Sequence, residues 1–153
     1  MARISTKIPK GYRYFFYLLV ALCFTSGASF WLIREFFQID GDFGLSPHFL
    51  QYPLLQIHGF MAFVMLMSVG AIFSAHIPST WGTKRARKSG IMITCFISMS
   101  VITAYALYYL ITEDSQFWLT YLHLVLGVCL PSLLIIHVKK ARKSRRISVT
   151  NYS

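Results

Sequence analysis

Four long apolar runs constrain the fold of this chain more than any other feature of its sequence. They cover about residues 14–33, 54–75, 90–111 and 116–138. A helix of about 20 residues crosses the hydrocarbon core of a bilayer, which is about 30 Å thick. Only 13% of the residues are charged, whereas soluble domains carry about 25%. The sequence therefore predicts an all-α integral membrane protein, in which residues 14–138 form a four-helix bundle.

The distribution of charge predicts how this bundle is oriented. Of the 15 Lys and Arg residues, four precede the first run, four lie between the second and third, and six follow the fourth. The other two loops hold all five Asp and Glu residues, with Arg34 as their one basic residue. Cytoplasmic loops carry an excess of Lys and Arg, so both ends are expected in the cytoplasm. Residues 1–13 and 139–153 would be basic cytoplasmic tails, the second of them frayed.

This topology also accounts for the net charge of +10 without a nucleic-acid partner, and none is expected. We expect a multi-pass protein of the bacterial inner membrane. The first run is too long for a cleaved signal peptide, so it is expected to remain as a helix. All three cysteines lie inside the apolar runs, which argues against a disulfide framework. The absence of a Cys-x-x-Cys-His motif excludes covalent haem attachment.

Four of the five histidines bracket the second and fourth apolar runs. His58 and His76 are 18 residues apart, and His123 and His137 are 14 apart. At about 100° per residue, each separation returns to within about 40° of the same helical face. The two runs cross the membrane in the same direction, so His58 is level with His123 and His76 with His137. Facing helices could thus offer two imidazole pairs, and a haem iron takes such axial ligands.

We therefore predict that these four histidines are metal ligands of one or two b-type haems. Ionisable residues as deep in a span as His58 and His123 are usually functional. His76 and His137 lie nearer the cytoplasmic interface, where a histidine that binds nothing is also expected. The separations correspond to about 27 Å and about 21 Å of helix, so tilt or a bend at Pro131 has to absorb the difference.

Other residues near these positions have simpler interpretations. Arg85 and Arg87 are candidates for binding haem propionates at the cytoplasmic end, although they also serve to orient the membrane spans. His48 is expected to be a surface or loop residue. No nucleophile or pair of buried carboxylates is evident, so hydrolytic chemistry is not expected.

At these positions the chain resembles small bacterial di-haem b-type membrane cytochromes of the cytochrome b561-like kind. It is also similar to the haem-bearing half of quinol-oxidising cytochrome b. The segments that carry the likeness are residues 55–63 (LQIHGFMAF), 75–78 (AHIP), Trp81, 121–123 (YLH) and 136–137 (IH). The resemblance implies axial haem ligation by His58, His76, His123 and His137. It departs from quinol-oxidising cytochrome b in the unequal histidine spacing, and no quinone-site motif is recognisable.

The resulting hypothesis is a membrane electron-transfer subunit rather than a stand-alone catalyst. It would relay electrons through histidine-ligated haem, with quinol and a larger redox protein as possible partners beside the lipid bilayer. One alternative is a haem-free structural or assembly subunit, whose histidines bond between helices. Another is a small metal or solute transporter, which the acidic loop and His48 would serve.

Overall fold

The apolar runs form helices that are longer than the runs themselves. The computed structural model describes residues 8–41, 44–81, 86–110 and 112–150, without the side chains of 79–81, 113–114 and 144–150. The helices are α1 (Lys10–Phe36), α2 (Gln51–Trp81), α3 (Arg87–Tyr109) and α4 (Glu113–Thr150). All four are long and apolar enough to cross a membrane. This confirms the prediction of an all-α protein with four membrane-spanning helices.

The helix ends differ most from expectation in α2 and α4. The second span was expected to end before Pro78, but α2 continues through this proline to Trp81. A proline removes one backbone N–H and its i−4 bond. Here the missing bond lies only three residues before the end of α2, so it affects only the last turns of the helix. The expectation of a frayed tail is also wrong for residues 139–150, because α4 is helical as far as Thr150. Residues 151–153 lie outside the described part of the chain.

Between α1 and α2 the chain forms a short antiparallel hairpin. Strand β1 (Ile39–Gly41) pairs with β2 (Gly44–Ser46), so that Asp40 lies opposite Leu45. Gly44 has a φ of +112°, a conformation that L-residues with a side chain rarely adopt. The sequence indicated turns here and no strands, because three-residue strands are too short to show an alternating pattern.

The chain divides into two compact units, Met1–Thr80 and Trp81–Ser153. In the first unit the Tyr12 hydroxyl donates to the Ser68 carbonyl at 2.8 Å, and Cys23 on α1 contacts His58 on α2. In the second unit Ser89 on α3 contacts His137 on α4. Thr103, further along α3, contacts the earlier His123 of α4. Each unit is therefore an antiparallel helix hairpin.

The buried residues of these hairpins are aliphatic, cysteine or hydroxyl side chains in the described part of the chain. Among the described residues, the buried polar ones are all hydroxyl side chains: Ser26, Ser68, Ser89 and Thr103. Many large aromatic side chains point outward instead, with Trp118 75% and Tyr108 71% exposed. In water such a surface would be an extensive apolar patch, whereas in a bilayer it faces lipid. Three of the four buried hydroxyl residues contact a histidine predicted to bind haem.

Candidate functional site

His58 lies on α2, and its ring contacts α1. Its Nδ1 atom is 3.0 Å from the Cys23 carbonyl and 3.4 Å from the Ser26 hydroxyl. The Ser26 hydroxyl donates to the same carbonyl at 3.1 Å. A carbonyl oxygen can only accept, so the short contact requires a hydrogen on Nδ1 of His58. The backbone of α1 therefore fixes which ring nitrogen of His58 carries the proton.

His123 on α4 has a comparable partner on α3. Its Nδ1 is 2.9 Å from the Thr103 hydroxyl oxygen. Thr103 is 3% exposed, and its hydroxyl donates to the Met99 carbonyl at 2.9 Å. A hydroxyl has one hydrogen to donate. When that hydrogen goes to Met99, the oxygen of Thr103 accepts a bond from Nδ1–H of His123.

His137 repeats this arrangement two turns before the last basic residues of α4. Its Nδ1 is 3.0 Å from the Ser89 hydroxyl, which donates to the Ala86 carbonyl at 2.9 Å. Ser89 and Thr103 are 14 residues apart on α3, as His123 and His137 are on α4. Antiparallel helices with equal spacings place both pairs in register. The α3–α4 hairpin therefore holds two histidine–hydroxyl pairs, about 21 Å apart along the helix.

These contacts have one chemical consequence for the three histidines. A neutral imidazole with its hydrogen on Nδ1 carries its lone pair on Nε2. Histidines that bind metals commonly donate their other ring N–H to an oxygen in this way, which fixes the ring and makes it a better ligand. The donor set therefore fits axial haem ligation through Nε2 of His58, His123 and His137.

The remaining predicted residues are less informative. His76 lies half-buried on α2, two residues before Pro78. Arg87 is the first residue of α3 and half-buried, whereas Arg85 lies outside the described residues. His48 has a structural role, because its Nδ1 accepts the Leu50 N–H at 3.2 Å immediately before α2. This agrees with its interpretation as a loop residue.

The predicted pairs join residues of different units. His58 and His76 belong to the first unit, and His123 and His137 to the second. The pairing of His58 with His123, and of His76 with His137, therefore stays a prediction. In the described parts of the chain, no group of three or more His, Cys, Asp or Glu residues could hold a metal ion. A haem differs from such a site, because the porphyrin supplies four of the iron ligands.

Sequence reasoning missed the oxygen atoms that hold the histidines. Serine and threonine are common in membrane helices, so neither Ser89 nor Thr103 is conspicuous. The equal 14-residue separations on α3 and α4 were the available signal. The Cys23 carbonyl left no trace in the sequence, because every residue except the last has a comparable backbone oxygen.

Comparison with known proteins adds no relative. No protein-family model matches the chain, and neither a curated protein nor a solved structure matches it.

Proposed function

We propose that this protein is a membrane-bound b-type cytochrome that carries electrons within the bilayer. His58, His123, His76 and His137 would ligate one or two haems, with His58 and His123 at one level and His76 and His137 at the other. The chain would serve as an electron-transfer subunit beside a larger redox protein. Quinol is the donor or acceptor that a bilayer most readily provides to such a subunit.

The observation that carries this proposal is the set of oxygen atoms around three of the histidines. Nδ1 of His58, His123 and His137 lies 2.9–3.0 Å from an oxygen of the preceding helix. The oxygen is the Cys23 carbonyl for His58 and a hydroxyl for the other two histidines, and each hydroxyl also lies within donating distance of a backbone carbonyl. The carbonyl requires the hydrogen of His58 to be on Nδ1, and the hydroxyls can accept such a hydrogen from His123 and His137. In that tautomer the lone pair is on Nε2, as axial ligation of iron requires.

The protein's own residues would perform the remaining tasks. Bound haem supplies a one-electron couple whose potential depends on its axial ligands and on burial. The hydroxyl and carbonyl partners hold each imidazole ring and keep its proton on Nδ1. Outward-facing apolar side chains exclude water from the spans. At the basic end, Arg85 and Arg87 would provide cations for the propionates, because Arg pairs well with carboxylates.

The location of the protein follows from charge and apolar length together. Four spanning helices make the lipid bilayer its environment. The basic segments would lie in the cytoplasm under the positive-inside rule, and the β1–β2 hairpin on the opposite side. A bacterial inner membrane is the compartment that we propose.

A reduced-minus-oxidised absorption spectrum of the detergent-purified chain, with haem quantitation, tests this proposal. We expect a b-type α band and about two haems per chain if both pairs bind. His123→Ala and His58→Ala should each remove the same haem and leave the helix content unchanged. His48→Ala is the matched control, because His48 lies in the loop, and it should retain every haem. Full haem content in His123→Ala would contradict the assignment.

A haem-free structural subunit is the alternative that the same contacts favour. Hydrogen bonds from His58 to Cys23 and from His123 to Thr103 join helices within each hairpin, and such bonds stabilise membrane helix pairs. This alternative predicts a colourless protein even when it is expressed with ample haem. His58→Ala and His123→Ala would then lower thermal stability in detergent without any spectral change.

A further inference from the structure

Gly27 of α1 lies directly against the imidazole ring of His58. A Cβ atom built on Gly27 would be 2.7 Å from Cε1 and 2.9 Å from Nδ1 of that ring. Real Cβ atoms essentially never approach other heavy atoms this closely. The ring can therefore occupy this position only because residue 27 has no side chain.

The other described glycines of the helices do not share this property. An added Cβ would meet nothing within 4 Å at Gly59, Gly70 or Gly127. At Gly90 it would lie 3.6 Å from Cε1 of His137, which is an ordinary van der Waals contact. The close approach is thus specific to His58, and the chain offers matched glycines at which the same methyl group is harmless.

Three residues of α1, Cys23, Ser26 and Gly27, contact the His58 ring, and together they are called the seat. The Cys23 carbonyl oxygen lies 3.0 Å from Nδ1 and accepts a hydrogen bond from it. The Ser26 hydroxyl lies 3.4 Å from the same nitrogen. Gly27 follows directly and leaves room for the ring edge. A methyl group at residue 27 can be accommodated only by moving the ring, and the ring carries the nitrogen bonded to Cys23. A side chain at residue 27 would therefore also disturb the hydrogen bond between His58 and Cys23.

We propose that Gly27 is a positioning residue, which seats the His58 ring against the Cys23 carbonyl and thereby aims Nε2 at its metal. The inference rests on the proposed function for the identity of that metal, which is haem iron. It assigns α1, a helix without histidine, a direct part in the site. The seat itself is a property of the α1–α2 hairpin and exists whether or not haem binds.

The first experiment measures haem binding by the full-length protein in detergent. Gly27→Ala should weaken haem binding at the His58 site by about 10- to 100-fold, as loss of a ligand's supporting contacts commonly does. Gly59→Ala and Gly90→Ala are the controls and should bind haem as the unaltered protein does. Gly27→Ala with unaltered haem affinity would overturn the proposal.

The second experiment is a double-mutant cycle on the haem-free protein, read by thermal unfolding. Gly27→Ala should lower the unfolding midpoint when His58 is present and should not lower it in the His58→Ala background. Alanine favours a helix over glycine, so a methyl group without a steric conflict would raise the midpoint in both. Equal changes in the unfolding midpoint in the two backgrounds would overturn the proposed contact between Gly27 and His58. If Gly27→Ala fails to fold, recovery of folding by adding His58→Ala supports it, and no recovery overturns it.

The two experiments distinguish the proposed haem binding from the proposed role of Gly27. A protein that binds no haem but shows coupling between Gly27 and His58 would refute the cytochrome and keep the seat. A protein that binds haem but shows no such coupling would keep the cytochrome and refute the seat.

Discussion

Two buried hydroxyl groups, those of Thr103 and Ser89, each contact both a backbone carbonyl and a histidine of the next helix. Thr103 and Ser89 each donate to a carbonyl of their own helix and thereby have an oxygen available for a histidine of the next helix. Thr103 is almost completely buried, so in an apolar interior its oxygen needs this partner. A hydroxyl whose hydrogen is bonded elsewhere can accept the Nδ1–H of a histidine, and it does so without adding charge.

Thr103→Val should raise the midpoint potential of the haem that His123 binds. The change keeps the shape of the side chain but removes the acceptor for Nδ1–H, so the imidazole donates less electron density to iron. The potential shifts by the difference in hydrogen-bond energy between the two redox states. A net hydrogen-bond energy of about 0.5–1.5 kcal/mol therefore limits the rise to about 20–60 mV for a one-electron couple. Potentiometric titration measures this shift.

Thr103→Ser is the control for this change, because serine keeps the hydroxyl. Its potential should stay close to that of the unaltered protein. Equal potentials in the valine and serine variants would show that the hydroxyl of Thr103 does not act on the ligand.

The candidate site could be predicted only as far as its histidines. Their position within or next to apolar runs and their shared faces follow from one sequence and helical geometry. Their partners depend on the register between two helices, which the equal spacing on α3 and α4 indicates only once the pairing is known. The Gly27 seat depends on how closely α1 and α2 approach, and hydropathy carries no information on that distance.

At the scale of the helices, α4 shows how a proline can lie within a long span. Pro131 lies inside this helix, between His123 and His137. It cannot donate to the carbonyl of Gly127, four residues earlier. Pro53, by contrast, is the third residue of α2, where a backbone N–H has no partner within the helix. Pro131 therefore removes a helical hydrogen bond, whereas Pro53 does not.

Pro131→Ala should raise the thermal unfolding midpoint in detergent. The alanine restores the bond to Gly127, and the gain in stability is up to about 3 kcal/mol. Pro53→Ala is the control and should change the midpoint little, because it restores no helical bond. A smaller gain for Pro131→Ala than for Pro53→Ala would show that the proline is built into the packing of α4.

The membrane spans themselves were predictable, because length and hydropathy are properties of a local segment. Their ends were not, since polar flanking residues continue the helices of α2 and α4 beyond the apolar runs.

At the scale of the whole molecule, the orientation in the membrane is the prediction most directly tested. With Cys23, Cys95 and Cys129 replaced by alanine, Gln38→Cys in the loop after α1 should react with a membrane-impermeant maleimide in intact cells. Arg142→Cys near the end of α4 should react only after the cells are broken. The basic segments are expected inside, so the reverse labelling pattern would place both ends of the chain outside.

The pairing of polar groups within each hairpin has a consequence for how the protein is made. His58 finds its oxygen on α1, and His123 and His137 find theirs on α3. Each acceptor oxygen precedes its histidine in synthesis, so it has already left the ribosome when the imidazole arrives. A helix hairpin leaving the insertion machinery can thus enter lipid with these nitrogens bonded, without waiting for the other half of the chain. Membrane insertion could then proceed hairpin by hairpin, and loading with a cofactor would be a later event of assembly.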